Sequence, residues 1–296
     1  MKRKLFVNDL SENQSTRSLM HTILSVSGGI LLTILFTVVS VQPSAAEHSC
    51  LSRCFSNNGA ALSALDGSDG TDVQTDTLHI HMISGSAEYE SERSLRRLTE
   101  ILKEELAPVQ VTASWGEDAG SHLPEIEQLA GADLLLIFTR RMTLPDEQLS
   151  HIIRHVEAEK PVIGIRTASH AFEGFPELDA QVFGGDYDGH GDDEPVQLQL
   201  AEGAAAHPVM EGIQPWNRSG KIYRNPELGP NAVVLLYGEG QESGIREPVA
   251  WTNRYGESGR AFYTSMGLVE DFDNDSFIRL LLNAVKWLSG EGVQSR

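Results

Sequence analysis

Ala132-Asp133-Leu134-Leu135-Leu136-Ile137-Phe138 ends in five consecutive apolar residues, Leu134 to Phe138. A strand paired on both edges and covered on both faces shows no side to water, so it reads as unbroken hydrophobe and not as an alternation. The period then changes. Pro145 followed by Asp146 and Glu147 suits the first turn of a helix, where a missing N–H costs nothing and negative charge faces the dipole. Leu149, Ile152, Ile153 and Val156 recur at the spacing of one buried helical stripe. Pro161-Val162-Ile163-Gly164-Ile165-Arg166 returns to strand. Upstream, Thr77 to Ser84 reads as a first strand, Glu90 to Leu106 as an amphipathic helix carrying Leu95, Leu98, Ile101 and Leu102, and Val109 to Trp115 as a second strand. Downstream, strands are expected near Val196–Leu200, Val233–Tyr237, Pro248–Thr252 and Arg260–Thr264, and a closing helix from about Asp275 to Ser289. Strand and helix alternating in this way give the α/β class: a doubly wound, mostly parallel sheet inside three α/β/α layers.

The chain has 296 residues and a formal charge of −19. Residues 1–46 hold four basic and two acidic side chains, so the remainder carries −21. Such a surface repels phosphate backbones and argues against nucleic acid as a partner. Ile23 to Val41 is an uncharged apolar stretch of 19 residues, preceded by Lys2, Arg3, Lys4 and Arg17 and followed by Ser44-Ala45-Ala46. Residues 1–46 therefore read as a signal peptide, with an uncleaved membrane anchor as the alternative. Either places the folded part outside the cytoplasm, periplasmic or extracellular. Residues 47–76, rich in Ser, Asn, Asp and Gly, read as a flexible linker that contains Cys50 and Cys54. That pair suits a local disulfide or two plain thiols. The domain is expected over residues 77–290, with a tail at 291–296.

In such a sheet, ligands sit beyond the carboxyl ends of the strands. Three segments belong there. Ser84-Gly85-Ser86-Ala87-Glu88-Tyr89 follows the first strand and has no phosphate-loop pattern. Gly164-Ile165-Arg166-Thr167-Ala168-Ser169-His170 has the outline of a nucleophile elbow, yet the exposed position is Arg166, which stays protonated and cannot attack. It suits a carboxylate or a cluster of hydroxyls instead. Phe183-Gly184-Gly185-Asp186-Tyr187-Asp188-Gly189-His190-Gly191-Asp192-Asp193 gathers carboxylates and an imidazole among glycines. It suits sugar hydroxyls or a divalent metal, or is an ordinary acidic loop. His207 is a further imidazole, and Trp216, Tyr223 and Trp251 are aromatic surfaces for a sugar ring or for the core.

These motifs resemble the ThuA-like (trehalose utilisation) family, a branch of the class I glutamine amidotransferase-like superfamily. The resemblance runs from Thr77 to Gly290 and rests on Ser84-Gly85-x-x-Glu88-Tyr89, the 164–172 elbow, Phe183 to His190, His207-Pro208-Val209, Pro248 to Thr252, and Gly256-x-x-Gly259-Arg260 to Gly267. It implies a flavodoxin-like fold and a carbohydrate context. Two positions depart from what it leads one to expect. Arg166 stands where amidotransferases carry the Cys nucleophile, and Leu268 stands where relatives carry His. Two functions remain open: an enzyme acting on a sugar or sugar derivative, or a non-catalytic carbohydrate-binding module. In the first, His170 or His190 transfers a proton with Asp186 or Glu88 as carboxylate partner. Ser84, Glu88, Tyr89, Arg166, Thr167, Tyr187 and His207 are then the ligand-binding set, and a small molecule or oligosaccharide is the partner.

Overall fold

The computed structural model describes residues 77–290 and 294–295. The leader or anchor at 1–46, the linker at 47–76 with its two cysteines, and most of the 291–296 tail lie outside them. Nine strands form one sheet: β1 (Leu78–Gly85), β2 (Val109–Trp115), β3 (Leu134–Thr139), β4 (Val162–Ile165), β5 (His190–Leu200), β6 (Asn217–Tyr223), β7 (Val233–Gly240), β8 (Arg246–Tyr255) and β9 (Gly259–Thr264). Three longer helices accompany them: α1 (Ser91–Glu105), α2 (Asp146–Glu157) and α3 (Asp275–Ser289). The spatial order is β2-β1-β3-β4-β9-β8-β7-β5-β6. β2, β1, β3, β4 and β9 pair in parallel, and the remaining pairings are antiparallel. Seven of the nine strands thus point the same way, with β5 and β8 opposed.

The apolar run at β3 explains the layering. Leu134, Leu136 and Phe138 enter one core cluster with Leu95, Leu98 and Leu102 of α1 and Phe277, Leu281 and Leu288 of α3. Leu135 and Ile137 enter the other with Leu149 and Ile152 of α2 and Trp251 of β8. Period-two geometry sends alternate residues to opposite faces, and here both faces are dry. No helix among the described residues is long and apolar enough to cross a membrane.

The structure adds two features to the sequence expectation. β5 begins at His190, so part of the Gly/Asp segment is strand, with a register shift between His190 and Asp193. β6, Asn217-Arg218-Ser219-Gly220-Lys221-Ile222-Tyr223, was not expected at all. It pairs with β5 alone and is an edge strand, where polar residues and glycine are tolerated because one flank is wet. Its direction brings Tyr223 to the edge where β1, β3, β4 and β9 also end.

Candidate functional site

β4 closes at Ile165, and the chain reverses at Arg166 with φ 49°, left-handed for a residue with a Cβ. One tight turn over Arg166–His170 follows. This is the strand–strained turn–helical turn of an elbow, with a guanidinium at its apex. The side chain is 1 % exposed. Its guanidinium carbon lies 4.2 Å from the centre of the Tyr89 ring and 4.8 Å from that of Tyr223. Nη1 donates to the Ser265 carbonyl at 2.9 Å, and Nε has no partner. A desolvated cation between two ring faces gains up to about 2 kcal/mol from the ring quadrupoles. Tyr263 Oη donates to the Arg166 carbonyl at 2.6 Å and pins the turn from below.

Tyr223 is the hub of the site. Tyr187 packs on it at 4.7 Å between centroids, with His170 at 6.2 Å and His190 at 6.1 Å. His170 in turn stacks on Tyr187 at 4.6 Å with the planes 19° apart. The two histidines singled out from the sequence therefore border one tyrosine. His170 Nδ1 lies 3.0 Å from the Ser169 hydroxyl. Burial first, then the charges of Arg141, Arg140 and Arg166, push its pKa down from 6.5 to about 4. The ring is neutral near pH 7, so it can accept a proton as a weak base and carries no imidazolium proton to donate. His190 is exposed, with Nδ1 2.8 Å from the Gly191 carbonyl oxygen. Asp186 is exposed on the same loop.

The loop carrying these groups is held from beneath. Asp179, 6 % exposed, accepts the Tyr187 N–H at 3.0 Å, while its Oδ1 is unpaired. A Cβ at Gly185 would stand 2.2 Å from that Oδ1, so only glycine lets the backbone pass this close to the carboxyl. Asn225 Oδ1 takes the Asp186 N–H at 3.3 Å, and Trp251 Nε1 donates to the Phe183 carbonyl at 2.7 Å. Burial, reinforced by nearby Asp186 and opposed by the Tyr187 N–H, raises Asp179 from 3.8 to about 6.

The other expected residues divide. Glu88 joins the rim and is bound by Arg140 Nη1 at 2.6 Å, and Tyr89 is the inner ring of the sandwich. Thr167 is fully buried with its hydroxyl unpaired, a packing position at the elbow. Ser84 is buried and bonded to the Ser91 hydroxyl at 2.8 Å. It lines a different cavity of about 660 Å³, bounded by Ser86, Arg93 and Gly116 at the start of α1. His207 is a correction. It accepts the Val209 N–H and packs on Trp287 at 5.3 Å, beside the end of α3, so it caps a short turn and does not join the tyrosine cluster. Among the described residues, no group of three or more His, Cys, Asp or Glu is placed to hold a metal ion. Sequence reasoning missed Arg140, Arg141 and Asp179. The arginines directly follow β3, at the carboxyl edge where ligands are expected, and that position was the available signal.

Residues 80–288 match the family model described as trehalose utilisation, ThuA. The chain belongs to the ThuA family. Two solved ThuA-like proteins share the fold of this ThuA domain. One, from Parabacteroides merdae, is 20 % identical with a TM-score of 0.56 and aligns over 75 % of this chain and 93 % of its own. Another, from Bacteroides uniformis, is 14 % identical with a TM-score of 0.56, over 72 % and 91 %. No curated protein matches the sequence. Membership gives the ThuA domain a carbohydrate-related role. At the second departing position, the Leu268 N–H donates to Asp271, whose carboxylate also takes the Gly267 N–H and a two-pronged ion pair from Arg218.

Proposed function

We propose that this domain is exported and acts on a sugar or sugar derivative at the carboxyl edge of the sheet, without amidotransferase activity. The observation that carries the reading is the stack of Tyr187 and His170 on Tyr223, with His190 and Asp186 at its border. Aromatic faces suit the apolar face of a pyranose, while carboxylate and imidazole suit its hydroxyls. His170, neutral and partly enclosed, is the proton-transfer group, and the Arg166 turn is the oxyanion-facing element. Arg166 also speaks against glutamine hydrolysis, since a permanently charged guanidinium cannot form the acyl-enzyme that a thiol forms. A second reading, a non-catalytic saccharide-binding module, draws support from Leu268, which offers no proton-transfer group at its position.

The test is a panel of neutral and acidic mono- and disaccharides, trehalose included, measured by calorimetry and by product analysis. Binding that weakens in both His170→Ala and His190→Ala with little change in melting temperature supports the shared site. Turnover separates the enzyme from the binding module. Binding of no saccharide, or ammonia release from glutamine above a buffer blank, would refute the proposal.

A further inference from the structure

Arg140, Arg141 and Arg166 stand on two segments that meet beside the tyrosine–histidine stack of a chain whose net charge is −19. Their placement follows from the backbone. Arg140 N–H donates to the Gly85 carbonyl, Arg141 N–H to the His170 carbonyl at 2.8 Å, and Met142 N–H to that of Ala171 at 2.8 Å, so the end of β3 runs alongside the elbow turn. Arg140 is partly neutralised by Glu88 and by Asp118 at 3.3 Å. Arg141 is exposed, has φ 47°, and makes no ion pair among the described residues. Arg166 is buried with Nε unpaired, and the Tyr89 and Tyr223 rings cover its faces without removing its charge.

Arginines gathered around a neutral imidazole do nothing for solubility in a protein already this acidic. They repel one another, and placing them together is unfavourable unless a negative group arrives. Glu88 and Asp118 both lie on Arg140, and neither Asp186 on the facing loop nor Asp271 forms an ion pair with Arg141 among the described residues. Guanidinium matches a planar carboxylate by two parallel N–H···O bonds better than it matches a hydroxyl.

Resting on the saccharide reading above, we infer that the ligand is an acidic sugar, a uronic acid or its glycoside, whose carboxylate is received by Arg141 with Arg140 and Arg166 behind it, while its ring lies on Tyr187 and His170. Free phosphorylated sugars offer negative charge as well, but in tetrahedral form with a larger charge.

The full-length chain would be titrated with D-glucuronate, D-glucose and D-glucose 6-phosphate, at low salt and at 0.5 M NaCl. One charge-assisted, two-pronged contact corresponds to glucuronate binding about tenfold tighter than glucose. The margin should shrink at high salt. Arg141→Gln should remove most of it and leave glucose unchanged, Arg141→Lys should restore part of it, and all three proteins should melt alike because the side chain is exposed. Glucose binding as tightly as glucuronate would overturn the acidic-sugar assignment and leave the saccharide reading standing. A preference for glucose 6-phosphate would overturn the carboxylate in favour of phosphate. Equal loss of glucose and glucuronate in Arg141→Gln would overturn the charge role. Absence of binding to all three, with the wider panel also silent, would remove the saccharide reading and this inference with it.

Discussion

Replacing Asp179 by Asn tests the architecture of the Gly184–Tyr187 loop. The Asp179 carboxyl is buried, one oxygen holds the Tyr187 N–H, and the other has no donor. Its pKa rises from 3.8 to about 6 on folding. An acid whose folded value is raised favours the folded state when protonated, so that stability is present below pH 3.8 and is lost as pH rises through 6. At 1.36 kcal/mol per unit, the cost of the buried carboxylate is about 3 kcal/mol at pH 7.5 and about 1 kcal/mol at pH 4.5. Asn keeps the acceptor for Tyr187 and abolishes the charge, but it brings an amide N–H₂ with no acceptor. That fixed cost, roughly 1–3 kcal/mol, does not vary with pH. The quantity to measure is therefore the stability of Asp179→Asn minus that of the wild type, from urea midpoints at the two pH values. It should be about 2 kcal/mol more favourable to the variant at pH 7.5 than at pH 4.5. In melting temperature this is roughly 4–8 °C for a domain of this size. Titration of other groups is common to both proteins and cancels. A difference that is flat with pH would show that Asp179 stays ionised in the fold at pH 4.5, and the account of the loop would fail.

Other outcomes follow from the same geometry. Arg166→Ala and Arg166→Gly both empty the space between Tyr89 and Tyr223, but Gly alone relaxes the left-handed turn, so it should be the more stable of the two by about 1 kcal/mol. Equal thermal melts would remove strain from the elbow. Asp271→Ala leaves Arg218 buried without its partner and frees the Gly267 and Leu268 N–H groups, a loss of roughly 3–5 kcal/mol in urea unfolding. A loss under 1 kcal/mol would mean that water takes over the pair. Burial lowers His81 and His155 from 6.5 to about 4, so each is held neutral in the fold. Stability present above pH 6.5 should fall as pH drops toward 4, by on the order of 2 kcal/mol for each histidine. Double substitution to Gln should remove the share of these two histidines from that acid limb and leave the share of His170, and an unchanged limb would assign it elsewhere.

The parallel half of the sheet was readable because β1, β3, β4 and β9 are buried on two faces and each intervening helix has one apolar stripe. Leu134 to Phe138 and the Leu149–Val156 stripe declare their layers without help from the rest of the chain. The edge strand β6 was not readable. Its burial is one-sided and local, Gly220 interrupts it, and its pairing with β5 is dictated by the register that β7 and β8 impose. In the sequence, His170, Tyr187 and His190 stood out because they lie at strand ends or among glycines. Their meeting on Tyr223 did not, since residues 33 to 53 positions apart come together through strand order. Asp179 was invisible for a different reason: nothing in its neighbourhood distinguishes a buried carboxyl from an exposed one.

β4 and β9 lie side by side in the sheet, yet 93 residues separate Ile165 from Gly259. That whole excursion builds β5 to β8 and returns, and on its way it deposits Tyr187, His190 and Tyr223 over the elbow. The molecule is thus a catalogue of two kinds of part. One is a frame whose strand order is closed by its own neighbours. The other is a long insert that furnishes the ceiling of the site and meets the frame through the pairing of β8 with β9, through core residues such as Val196, Val209 and Ile222, and through Arg218 on Asp271 and Asn283 on the Val209 and Glu211 carbonyls. Val196, Ile213 and Ile222 belong to the core that both parts share, whereas the exposed positions of this insert beside the site, Asp186, Asp188 and His190, can be exchanged while the frame continues to fold. An engineer seeking a new ligand would begin there and leave the elbow alone.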